Sequence, residues 1–151
     1  MRHIIEFSEY LKEELTSAPN VRTELIKLIG EGDVNQIDKF MDENDIDADY
    51  DSGMISRLAA KQGNLELMKY LSEVGADLTL RNNLTIKTAL LYGKIEIAGW
   101  LLDELSLGQD DVDSILSFVM ESDIPSNVEK AQAKKLLSFR RGSFAEYDEN
   151  E

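Results

Sequence analysis

The chain has 151 residues, with 30 acidic against 16 basic side chains, a net charge of −14, no cysteine and one histidine. Without cysteine there is neither a disulfide framework nor a thiolate metal site, and so acidic a chain lacks the cationic residues that give general affinity for nucleic acid or anionic lipid. No apolar run approaches the roughly 20 residues that span a bilayer, and the first residues lack a signal peptide's apolar core, so a reducing cytoplasm is the expected setting.

Ile4, Ile5, Phe7, Tyr10, Leu11 and Leu15 alternate with Glu6, Glu9, Lys12, Glu13 and Glu14. This predicts an amphipathic helix over 1–18 with a water-tolerant outer side, suited to capping whatever follows. Pro19 and Asn20 then break it, and Asn20 can start the next helix.

From there one pattern recurs. The ladder Gly63-Asn64-Leu65-Glu66-Leu67-Met68-Lys69-Tyr70-Leu71 returns as Gly93-Lys94-Ile95-Glu96-Ile97-Ala98-Gly99-Trp100-Leu101, and more faintly from Gly32 to Asn44. The starting glycines Gly32, Gly63 and Gly93 are 31 and then 30 residues apart, a spacing that signals stacked units rather than one closed core. Counting from each glycine, the second position reads Val34, Leu65, Ile95, the fifth Ile37, Met68, Ala98, and the eighth Phe40, Leu71, Leu101. Steps of three put these on one helical face. A single short helix cannot bury such a face within its own unit, so neighbouring units must cover it, at about 25 cal/mol per Å² of apolar area.

Ahead of each glycine lies a second apolar stretch, Leu25 to Ile29, Met54 to Ala60 and Leu84 to Leu91, which reads as the first helix of a pair. Behind each second helix come turn residues: Asn44 to Asp51, Gly75 to Asn83, and a blurred version around Ser106 to Asp111.

Through Leu58-Ala59-Ala60-Lys61-Gln62-Gly63-Asn64-Leu65-Glu66-Leu67-Met68-Lys69-Tyr70-Leu71, followed by Gly75-Ala76-Asp77-Leu78, the chain resembles the ankyrin repeat family. The resemblance covers roughly Thr23 to Leu107. It implies an all-α, ankyrin-type solenoid of stacked antiparallel helix pairs with short hairpins or loops between repeats. The family's opening Thr-Pro-Leu-His corresponds here to Thr23-Glu24-Leu25-Ile26, Met54-Ile55-Ser56-Arg57 and Leu84-Thr85-Ile86-Lys87, none with the proline or the histidine. Gly99 within the third second-helix costs about 1 kcal/mol relative to alanine.

Asp111 to Met120 reads as another first helix with acidic residues near its start. Ser126-Asn127-Val128-Glu129 has capping-box spacing, with Val128, Ala131, Ala133, Leu136, Leu137 and Phe139 as the expected buried side. The expected organisation is one domain over 1–139: a cap at 1–18, repeats at 20–48, 49–79 and 80–108, a helical cap at 109–139, and a disordered tail over 140–151.

Catalytic parts are scarce. His3 stands alone near the terminus. Asp47, Asp49 and Asp51 alternate like the opening of a calcium loop, but the required glycine and glutamate positions are Ser52 and Leu58. Gly30 and Gly32 lack the lysine and preceding strand of a phosphate loop. Tyr70 and Trp100 occupy matching positions in successive second helices, which reads as packing. No catalytic, metal-binding or cofactor-binding residue is therefore assigned, and a carboxylate-based, metal-dependent hydrolase using the segment from Asp42 to Asp51 is the remote alternative.

The expectation is a non-enzymatic protein-interaction module, an adaptor or inhibitor. In the family it resembles, the concave side and turn tips are the common contact surface. The matching positions are Asp47, Asp49, Tyr50, Asp51, Arg57, Lys61, Arg81, Asn82, Asn83, Lys87 and Tyr92. Residues 31–51 hold nine acidic residues and one lysine, so the expected partner is a protein with a basic surface, bound by a monomer. A sharper variant is an acidic, nucleic-acid-mimic-like inhibitor, phage-encoded, occupying the basic groove of a nucleic-acid-binding enzyme.

Overall fold

The computed structural model describes the backbone of residues 21–149 and the side chains of residues 21–138. The expected cap helix over 1–18, with His3, Pro19 and Asn20, lies outside the described residues. Among the described residues all regular structure is helical and no strand occurs. The chain divides into two compact units, Met1–Asp47 and Ala48–Glu151.

The first unit holds helical residues 21–31 (α1) and α2 (Val34–Glu43). Gly32 joins them at φ 81°, a left-handed conformation that a side chain would disfavour. Asp33 caps α2, its carboxylate accepting from Asn35 N–H at 3.0 Å and Gln36 N–H at 3.3 Å. Leu25, Ile29, Ile37 and Met41 are buried; of the predicted face of α2 only Ile37 is fully covered, Val34 and Phe40 are half-buried, and Met41, one position on, is buried in place of Phe40. After α2 the chain turns through Asp45 at φ 53°, and Ile46 N–H reaches back to Met41 C=O at 2.8 Å. This closes a Schellman motif.

The second unit holds α3 (Tyr50–Gln62), α4 (Leu65–Glu73), α5 (Leu80–Leu91), α6 (Ile95–Glu104), α7 (Gln109–Glu121) and α8 (Asn127–Glu149). Within α3 and α5 the right-handed helix starts only at Met54 and Leu84, after three residues with positive φ. Helices pair as α3 with α4, α5 with α6 and α7 with α8. The leading members touch in the order α3, α5, α7 and the second members in the order α4, α6, α8, with α5 also meeting α8.

Two or three residues suffice to reverse the chain within each of the first two pairs. Gly63 at φ 82° lets Asn64 N–H reach Ala59 C=O at 3.0 Å, and Gly93 at φ 72° lets Lys94 N–H reach Ala89 C=O at 2.8 Å. A Cβ on Gly93 would overlap the Glu129 carboxylate as well as strain the backbone. Asn64 then caps α4, accepting from Leu67 N–H at 3.0 Å.

The core follows the repeat. The fifth-position residues Met68 and Ala98 and the eighth-position Leu71 and Leu101 are fully buried, while Leu65 and Ile95 at the second position are half-buried. Leu67 and Ile97 complete the buried face from the adjoining position. The leading helices bury small and large residues together: Ala59, Ala60 and Ala89 with Ile55, Ile86 and Leu90, all fully covered.

Ser126 and Glu129 form the expected reciprocal capping box: Ser126 N–H donates to Glu129 Oε1 at 3.0 Å and Glu129 N–H to Ser126 Oγ at 3.1 Å. Along α8, Ala133 and Leu137 are buried as predicted, but Val128 is 68% exposed and Ala131 is also exposed. Leu136 is half-buried, and Phe139 lies outside the described side chains, so among the described residues the covered side of this helix is narrower than its sequence suggests. The backbone of α8 runs to Glu149, past Arg140, where the sequence suggests the start of a disordered tail.

A Cβ at Gly99 would meet nothing within 4 Å. Gly99→Ala should therefore stabilise the chain by about 1 kcal/mol, read as a rise of roughly 2–4 °C in the melting midpoint by circular dichroism. The Ser126 backbone N–H, then its hydroxyl, holds the Glu129 carboxyl below its ordinary range, with a smaller contribution from Lys94. A carboxyl depressed in the folded state adds stability above its unfolded pKa and loses it as pH falls through the folded value. Urea unfolding at stepped pH should show this acid-side loss, and Glu129→Gln should shrink it.

Candidate functional site

Of the expected contact residues, Asp49, Tyr50, Asp51, Arg57, Arg81, Asn82 and Asn83 belong to or border two left-handed turns. Asp51, Ser52 and Gly53 have φ of 50°, 53° and 89°, and Arg81, Asn82 and Asn83 have 55°, 56° and 61°. Five of the six carry a side chain, each at a cost of about 1–2 kcal/mol over right-handed backbone. Hydrogen bonds offset the strain. Gly53 N–H donates to Asp49 C=O at 3.1 Å and Asn83 N–H to Thr79 C=O at 2.9 Å. The Arg57 guanidinium donates to the carbonyls of Ser52 and Asp51, the latter at 3.2 Å, closing the first turn from below.

The turns are also tied to each other. Asp77 N–H donates to Asp49 Oδ1 at 2.7 Å, across 28 residues of chain. Asp77 in turn accepts from Thr79 Oγ1 at 2.6 Å and Thr79 N–H at 2.9 Å. These two bonds, the hydroxyl first, hold the Asp77 carboxyl below its ordinary range against a small opposing effect of burial.

On the leading helices below the turns, cations lie over rings. Lys61 Nζ is 5.0 Å from the Tyr92 ring centroid, and Lys87 Nζ is 4.9 Å from that of Phe118. Each lysine meets an aromatic residue 31 positions further along the chain, which is the repeat length. Both distances lie within cation–π range.

The eleven residues singled out from the sequence thus separate. Asp51, Lys61, Arg81 and Asn82 are exposed, and Asp49, Tyr50, Arg57 and Tyr92 are half-buried, all in the second unit. Asp47 is exposed in the first unit. Asn83 and Lys87 are only 7% and 5% exposed, so they face the protein interior rather than open surface. Sequence reading did not find Asp77, Thr79 or Phe118. Phe118 follows Lys87 by the interval that separates Lys61 from Tyr92, but neither pairing is visible until the helices pack.

Among the described residues no group of three or more histidine or carboxylate side chains is placed to hold a metal ion. A cleft of about 430 Å³ beside the α6–α7 loop is lined by Leu102, Leu105, Leu107 and Val112, with Asp103 as its one carboxylate. No helix among the described residues is long and apolar enough to cross a membrane. Comparison of the chain with family models, with curated proteins and with solved structures finds no match.

A lysine this buried should depend on its ring. A double-mutant cycle of Lys87→Met and Phe118→Leu should give a coupling of about 1–2 kcal/mol, read from urea unfolding.

Proposed function

We propose that this chain is a non-enzymatic protein-binding module of the ankyrin type, a solenoid that engages another protein through its turn tips and leading helices. The observation that carries this reading is the order of helix contacts in the second unit. Leading helices meet leading helices and second helices meet second helices, one repeat apart, as stacked pairs require. The repeat glycines support it, with Gly63 and Gly93 closing their pairs by the same left-handed turn. The tips support it too: strained, polar, partly exposed backbone is more often found at ligand-contacting sites than in connections that only join elements.

A second reading rests on the first unit. Glu31, Asp33, Asp38, Asp42, Glu43, Asp45 and Asp47 are all exposed there, and the salt bridge from Lys39 to Glu43 at 3.9 Å joins largely exposed side chains. Such a surface suits a basic protein groove, including that of a nucleic-acid-binding enzyme.

Affinity capture from a cell extract, with mass spectrometry, tests both. Tyr50→Ala with Asp51→Gly and Asn82→Gly removes the tip side chains while glycine keeps the left-handed backbone. The triple variant should lose the captured protein if the tips bind it, and equal recovery would reject them. Release by moderate salt together with loss on reversing Asp38, Asp42 and Asp45 to lysine would instead assign binding to the acidic unit.

A further inference from the structure

The loop between α6 and α7 departs from the repeat. After α2 and after α4 the chain doubles back through a left-handed residue, Asp45 at φ 53° and Gly75 at φ 91°. Ile46 N–H and Ala76 N–H then reach Met41 C=O at 2.8 Å and Leu71 C=O at 2.9 Å. The end of α6 is different. Leu105 is extended at φ −95° and ψ 134°, and Gly108 is extended at φ −80° and ψ 172°. Leu78, which follows the turn after α4, is 4% exposed, whereas Leu105 and Leu107 in the third loop stay half-buried. The cleft of about 430 Å³ opens here, lined also by the buried Leu102 and Val112, and its volume falls within the range of about 300–1,000 Å³ of ligand clefts.

Charge around this cleft has one sign. From Ile95 to Glu129 the chain carries nine acidic residues and no lysine, arginine or histidine. Five of them, Asp103, Glu104, Asp110, Asp111 and Asp113, stand on the helix ends that flank the loop, and the first three are exposed. The positive end of α7 faces the same loop, but Asp110 and Asp111 occupy its first turn, and the Asp111 carboxylate accepts Gly108 N–H at 3.3 Å. The carboxyl end of α6 adds negative partial charge. Among the described residues no cation lines the cleft. Of the cations on neighbouring helices, Arg81 is exposed in the left-handed turn of α5 and Lys87 is buried over Phe118. Lys135 of α8 lines a separate groove with Ile95, at the opposite end of α6.

We propose, resting on the protein-binding reading above, that this cleft takes a basic amphipathic segment of a partner protein. An aliphatic side chain enters among Leu102, Leu105, Leu107 and Val112, and a lysine or arginine beside it meets the carboxylates at the rim. Lining and rim select together. An acidic segment is repelled by the rim, and a polycation with no apolar side chain leaves the lining in water.

The test uses the full chain and fluorescence anisotropy at about 150 mM salt, where charges more than about 8 Å away are largely screened. The labelled probes are Lys-Leu-Lys-Gly-Lys-Leu-Lys, its counterpart with glutamate for lysine, and its counterpart with glycine for leucine. Only the first should bind saturably. Glu104→Gln with Asp110→Asn should weaken it by about fivefold or more, and Leu107→Ser should also weaken it, with an unchanged circular dichroism spectrum verifying the fold. Asp38→Asn with Asp42→Asn removes as many charges from the first unit and should change affinity by less than about twofold. The proposal is overturned by no saturable binding of the lysine–leucine peptide, by equal binding of the glycine counterpart, or by equal weakening from the two charge-removing pairs. Binding that emerges only after Arg140→Ala with Arg141→Ala overturns it too, since the cation of the cleft would then be the chain's own. If the peptide fails while the tip variant still loses its captured protein, the binding module stands and only the cleft is rejected. If the peptide behaves as expected while the tip variant keeps its protein, the cleft is upheld and the tips are rejected.

Discussion

A helix of nine to thirteen residues, the range of α3 through α7, cannot remove its own apolar side from water, and that constraint governs the rest of the second unit. Each helix must be turned back on its partner and then laid against the next pair. A left-handed residue makes the first reversal in two steps of chain. That residue is glycine at 63 and at 93 because any Cβ there is strained, and at 93 would also collide with Glu129. The leading helices then bury Ala59, Ala60 and Ala89 together with Ile55, Ile86 and Leu90.

Holding units together requires polar links as well as burial. The family resembled uses a threonine, proline and histidine at the start of each first helix, and this chain lacks the proline and histidine. In their place the Asp49 carboxylate accepts the Asp77 backbone N–H from the following turn, and lysines lie over rings one repeat further on. Of the two lysines, Lys61 stays exposed while Lys87 is buried. Arg57 and Lys61 are part of the scaffold and part of the proposed binding face, so the face is presented on side chains whose geometry the fold already restrains.

Charge behaves on two length scales. The total of −14 describes what a distant macromolecule feels at low salt. Within about 8 Å, the screening distance at physiological salt, the sign seen by a bound segment depends on the nearest side chains. On α3 and α5 the exposed charges are Asp51, Lys61 and Arg81, so the local sign is mixed although the protein as a whole is acidic. The two proposed readings rest on separate units, the turn tips and leading helices in the second and the acidic surface in the first.

Helix periodicity, the positive-φ glycines and the Ser126–Glu129 cap were readable from the chain because each depends on residues within about four positions of one another. The starts at Met54 and Leu84 were readable for the same reason, since Asp51-Ser52-Gly53 and Arg81-Asn82-Asn83 favour turns over helix. The burial of Asn83 and Lys87, the exposure of Val128, the Asp49–Asp77 link and the pairing of Phe118 with Lys87 were not. Each depends on which side chain arrives from a neighbouring helix, in the two links from 28 and 31 residues away. Local chemistry specifies how a segment bends and which side is oily. Only packing decides what covers that side, and so which charged groups remain for a partner to meet.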